Sequence, residues 1–198
     1  LSNTKINGSG LRYLTDLSAL RTLKLDTTLV NDEGMKTVSE LSGLTTLDLS
    51  SSFVTSDGIQ HLAGHPALRE LSLAWMDIDD RALAHVRTLT QLEYLDLHQT
   101  WIHDVGVAHL GNLSGLRELN LNDTRITNNS IATLSQLSNL EVLRLWNVPI
   151  TDDDLLQLTS LSELQELWLW RTKITEEGLA RFREKMPNVV IDGPNTEI

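Results

Sequence analysis

The 198-residue chain contains no cysteine, which removes disulfides, thiolate nucleophiles and thiolate metal ligands at once. That absence leaves the compartment open, since a cysteine-free chain persists in the cytosol or after secretion. Basic residues are few: 16 Lys and Arg stand against 27 Asp and Glu, a formal net charge of -11. Nucleic acid needs an electropositive face and is not an expected partner. An anionic membrane surface is disfavoured for the same reason. A basic protein partner fits the charge, and so does a surplus of acid that serves only solubility. No apolar run approaches the length of a bilayer span and no signal segment is visible, so membrane insertion is not expected. Aromatic residues make up only 5% of the chain, yet five of them are tryptophans, so the places where those five stand become informative.

What is present is a repeat. Leu20, Leu44, Leu68, Leu92, Leu116, Leu140 and Leu164 recur every 24 residues, and each opens the same phrase of leucine, two variable residues, leucine, one variable residue, leucine. A unit this short cannot bury its own apolar side and must stack on its neighbours. After the triplet come a hydroxyl residue and an aliphatic, as in Thr28 and Val30, Thr100 and Ile102, Thr124 and Ile126. Met76 with Ile78 and Val148 with Ile150 keep the aliphatic and lose the hydroxyl. A second apolar series follows at helical spacing, such as Val107, Leu110 and Leu113. The switch from a period near two to one of three or four predicts a short strand and then a short helix in every repeat. Gly34, Gly58, Gly106 and Gly178 open helices after Asn, Thr or Asp, while Ala82, Ser130 and Asp154 hold the same place elsewhere, so the glycine reads as a preference of a tight corner. The threonine column reads as structural, its hydroxyls satisfying turn amides and carbonyls.

The phrase Leu116, Leu119, Leu121, Thr124, Ile126 and its copies resemble those of leucine-rich repeat proteins, over residues 1 to 193. Threonine in place of the commoner asparagine or cysteine, with starts such as Ile150, Thr151 and Asp152, is similar to short-repeat bacterial variants. The resemblance implies an α/β fold: a right-handed solenoid with a concave parallel sheet, short convex helices and a role in binding other macromolecules. It names no partner.

A single domain over 1–198 is expected, with a partial repeat at 1–19, full repeats over about 20–187, a finishing strand at 188–193 and a tail at 194–198. Leu1, Thr4 and Ile6 precede Leu25, Thr28 and Val30 by one period, so the chain starts inside a strand unit, as a fragment or processed form would. Met186 to Ile191 read as a final strand-like run.

Neighbours of the buried leucines point to the other face of the strand, so the inner wall of the arc reads as columns. Between the second and third leucines stand Lys24, Asp48, Ser72, Asp96, Asn120, Arg144 and Trp168, and just after the third stand Asp26, Ser50, Ala74, His98, Asn122, Trp146 and Trp170. Trp146, Trp168 and Trp170 fall in adjacent repeats and should form one aromatic surface bordered by Arg144 and Arg171. Exposed tryptophan is uncommon without something to touch, and aromatic and arginine groups anchor protein interfaces. Flat rings also suit sugar faces, and the alternative is cross-strand stacking that only stabilises the sheet. Trp75 lies in the next column and Trp101 at the rim of the fourth repeat. A second patch forms around Tyr94, Asp96 and His98, where a cation or a lysine side chain fits, or where a plain polar surface suffices.

The remaining histidines, among them His65, are placed on the outer face or corners, with no second ligand at metal-binding spacing. No carboxylate pair stands at acid/base distance and no phosphate loop appears. The expected function is therefore non-enzymatic recognition of a protein, less so of a glycan, on the concave face, with no cofactor. The alternative is a non-catalytic architectural or substrate-recruiting arm of a larger multidomain protein.

Overall fold

A computed structural model describes residues 1–193. Eight strands lie side by side in chain order: β1 (Thr22–Lys24), β2 (Thr46–Asp48), β3 (Glu70–Ser72), β4 (Tyr94–Asp96), β5 (Glu118–Asn120), β6 (Val142–Arg144), β7 (Glu166–Trp168) and β8 (Val190–Asp192). Every pairing is parallel and keeps the repeat in register, so Leu119 sits between Leu95 and Leu143. The middle residue of each strand is buried and its two neighbours face outward. A slip of one residue would turn this leucine row into solvent, which is why the register is strict.

Each strand is joined to the next by a crossover carrying helix. These helices are α1 (Asp32–Glu40), α2 (Ser56–Ile59), α3 (Asp80–Val86), α4 (Asp104–Val107), α5 (Ile131–Leu134), α6 (Asp152–Gln157) and α7 (Glu176–Lys185). α2, α4 and α5 have four residues each, far below the length at which a helix holds in water. Stacking therefore maintains them: Ile59, Val107, Ile131, Leu155 and Leu179 join the strand leucines in one continuous core.

Side chains stitch one coil to the next. The Asp32 carboxylate accepts from the amide and hydroxyl of Thr55 at 2.7 and 2.8 Å, and Asp104 does the same for Thr127 at 2.8 and 2.7 Å. An acid at the start of one helix thus satisfies free groups at the start of the following one. The threonine column closes the other corner. The hydroxyls of Thr28, Thr100, Thr124 and Thr172 donate to the carbonyls of Leu25, Leu97, Leu121 and Leu169 at 2.6 to 2.8 Å.

Three details depart from expectation. The strand-like run from Met186 to Ile191 is shorter: α7 extends to Lys185, Met186 ends it, and only Val190–Asp192 pair with β7. Pro187 has no amide to give a ladder. His65 is buried, at 7% exposure, and not at the outer surface. Its Nε2 donates to the Leu41 carbonyl at 3.2 Å and Nδ1 accepts from the Ala67 amide at 3.4 Å, while burial holds its pKa down. Finally, one residue per repeat adopts a left-handed backbone: Thr27, Ser51, Trp75, Gln99, Asp123, Asn147 and Arg171 have φ between 52° and 59°. From Thr27 to Asn147 the amide of each reaches the next coil, as Trp75 does to the His98 carbonyl at 2.8 Å. The expected tail at 194–198 lies outside the described residues.

Candidate recognition surface

The outward flanks of β6 and β7, with the residues just after them, bring the predicted aromatic cluster together. Trp146 and Trp168 are half-buried and Trp170 is 45% exposed. With Arg171 they enclose a hollow of about 300 Å³. Arg144 lies beside Trp168 in the β6–β7 register, its guanidinium 5.2 Å from the ring centre, and Arg171 lies 5.7 Å from the centre of Trp146. These are cation–π distances. Arg144 also meets the Glu118 carboxylate at 3.5 Å. The Trp170 indole donates to Asp192 on β8. The indole N–H of Trp146 is buried with no hydrogen-bond partner among the described residues.

The second patch is built around β4. Here the structure adds Trp75 to Tyr94, Asp96 and His98, with Trp75 and His98 rings 4.9 Å apart and 84° to each other. The Asp96 carboxylate accepts from the His98 amide at 2.9 Å and from the Tyr94 hydroxyl at 3.3 Å. His98 Nδ1 lies 3.1 Å from the Asn122 carbonyl, so that nitrogen carries the proton. Burial raises the Asp96 pKa despite the His98 amide, and burial with the nearby Asp96 charge raises that of Tyr94. Asp48, Glu70, Trp75 and Asp96 border a concavity of about 430 Å³ here.

Trp101 belongs to neither group. It stands on the rim beside Asp79, 51% exposed, with the Arg125 guanidinium 4.9 Å from its ring centre. The same rim column exposes Leu29 and Phe53, which the columns of the inner wall do not include. Two further residues take roles that column reading did not assign. Asn122 is buried and ties the patches together, its side-chain oxygen accepting from the Trp146 amide at 2.7 Å while its carbonyl accepts a hydrogen bond from His98 Nδ1. Asp192 follows the last repeat and its role shows only once β8 is seen to extend the sheet. Asn122 had a signal: it precedes Trp146 by one period in the same column.

Among the described residues, no three His, Asp or Glu side chains converge as a metal site, and no helix is long and apolar enough to cross a membrane.

Strand, buried leucine row and short helix, repeated along one open parallel sheet, define a leucine-rich repeat solenoid. Solved structures bear the fold out. An internalin C2 of Listeria monocytogenes is similar at 25% identity with a TM-score of 0.72, covering 96% of this chain and 85% of that one. Another internalin of Listeria monocytogenes matches at 23% identity and TM-score 0.65, covering 84% of this chain and 51% of that one. A leucine-rich repeat protein of Leptospira interrogans matches at 24% and 0.65, over 91% and 50%. The chain thus spans about half the length of two of these three. No protein-family model matches the sequence, and a comparison with curated proteins finds no match.

Proposed function

We propose that the concave face is a non-enzymatic recognition surface for a protein, with Trp146, Trp168, Trp170, Arg144 and Arg171 as its main anchor. Trp75, Tyr94 and His98 form a second contact along the arc, and Trp101 flanks it at the rim. The observation that carries this reading is Trp170, a 45% exposed indole opening onto an apolar hollow in an otherwise acidic chain. Large rings left in water cost free energy that burial under a partner returns. The likeness in fold to other leucine-rich repeat solenoids supports a recognition role in general terms. A glycan is the less favoured ligand, because the hollow lined by Trp146, Trp168, Trp170 and Arg171 offers almost no polar surface for sugar hydroxyls to meet.

The test uses binders raised from a displayed peptide library against the intact chain, titrated by calorimetry. Alanine at Trp168 or Trp170 should weaken binding about thirty-fold, the loss expected of an interface anchor. The far-ultraviolet circular dichroism and melting point should stay near those of the parent. Binders indifferent to all three tryptophans would overturn the reading.

A further inference from the structure

Within the proposed surface, the hollow at β6 and β7 has a polarity of its own. Its wall is almost wholly apolar, and its volume of about 300 Å³ lies at the small end for ligand sites. That is room for one large side chain and not for a folded face. The charges nearby are in two states. Arg144 is engaged with Glu118 and Asp192 with the Trp170 indole. Arg171 is not engaged in this way: among the described residues no carboxylate lies within 4.0 Å of it. It lies over Trp146, and a guanidinium held on a ring keeps its in-plane N–H donors for a carboxylate.

The rest of the face sharpens the point. At the β2–β4 end, Asp48, Glu70 and Asp96 stand against Lys24 alone. An acidic segment is repelled there and drawn to the Arg171 end, while a basic residue placed at the hollow would face a like charge.

From this we infer that the hollow takes a large apolar side chain of a protein partner whose adjacent residue is Asp or Glu, the carboxylate meeting Arg171. The inference rests on the reading of the concave face as a protein-binding surface. It adds the chemistry of the anchoring residue pair.

The probe is a library of random linear peptides displayed between constant flanks, so that no free C-terminus enters. It is panned on the intact chain with counter-selection on Trp170→Ala. Enriched sequences should pair an apolar residue with a neighbouring Asp or Glu. Binding of such a peptide should fall about tenfold or more with Arg171→Glu, and a version with Lys in place of the acid should bind that variant better than it binds the parent. The backbone accepts the change, because Gln99, with a side chain of the same length as Glu, already holds the same left-handed position; circular dichroism and melting point confirm the fold. Peptides that lose binding with Trp170→Ala yet show no acidic neighbour, or ignore Arg171→Glu, overturn this inference alone. Failure of any peptide to survive the counter-selection, or tryptophan-dependent binding found only on a glycan panel, overturns it together with the wider reading.

Discussion

The Asp152 carboxylate occupies the space that a Cβ on Gly178 would need: a methyl built there falls 2.1 Å from its Oδ1. The same carboxylate accepts from the Thr175 amide at 2.8 Å and from the Thr175 hydroxyl at 2.7 Å. Asp32 with Gly58 and Asp80 with Gly106 repeat the relationship at 2.3 and 2.4 Å. At these three corners the glycine is therefore set by the acid of the preceding coil, whereas at Gly34 the Gly8 backbone fills the space. Ala82 follows a coil with Ser56 in that place, and Asp154 follows one with Asn128 and supplies the carboxylate to Thr151 itself. Where Asp104 meets Ser130, the hydroxyl donates to the acid.

Gly178→Ala should accordingly cost about 1–3 kcal/mol, the range for forcing a group into filled space, and Asp152→Ser about 1 kcal/mol for the lost cap. The double variant copies the natural Ser56 and Ala82 pair. It should cost less than the sum by about 1 kcal/mol. Urea unfolding of the four proteins measures the coupling, and strictly additive costs would show that the two groups do not compete.

The leucine row and the strand–helix alternation were legible in the sequence because each obeys a local period that reports burial directly. The glycine positions were legible only as a preference, since their cause is a residue 26 positions earlier, as Asp152 is for Gly178. Trp146, Trp168 and Trp170 could be placed together from column order alone. Trp75 could not be joined to His98 by that logic, because its left-handed backbone redirects the side chain out of the strand alternation. Burial of His65 also escaped, as a polar residue outside the leucine phrase carries no periodic mark.

Asp96 and Asp152 should give opposite responses to pH. Burial holds the Asp96 carboxyl above the ordinary range, so its ionised form weakens the folded state above that raised pKa, and the cost fades as pH falls. Asp96→Asn should raise the urea midpoint near about pH 7 and lose that advantage near about pH 3. The neighbouring repeat shows that asparagine fits, since Asn120 accepts from the Asn122 amide at 3.1 Å. The Thr175 hydroxyl and amide hold Asp152 below the ordinary range, so its contribution is present above that range and disappears as pH drops through the depressed value. Asp152→Asn should lower the midpoint at neutral pH and converge with the parent in acid. A lower neutral midpoint for Asp96→Asn would show that its charge is favourable in the fold.

Trp75 separates a binding role from sheet stabilisation. It holds φ 59° with 57% of its surface exposed, a backbone region that costs a bulky side chain about 1–2 kcal/mol. Asparagine tolerates that region and already occupies it at Asn147. If the ring is kept for a partner, Trp75→Asn relieves strain, so the melting point holds or rises while affinity for a concave-face binder that contacts the β4 patch falls. If the ring serves only to pack on His98, 4.9 Å away, the same change leaves affinity alone. An aromatic contact is worth about 0.5–1.5 kcal/mol, comparable with the backbone cost, so the melting point moves little in either account and the affinity separates them. Calorimetric titration of the one variant decides between them.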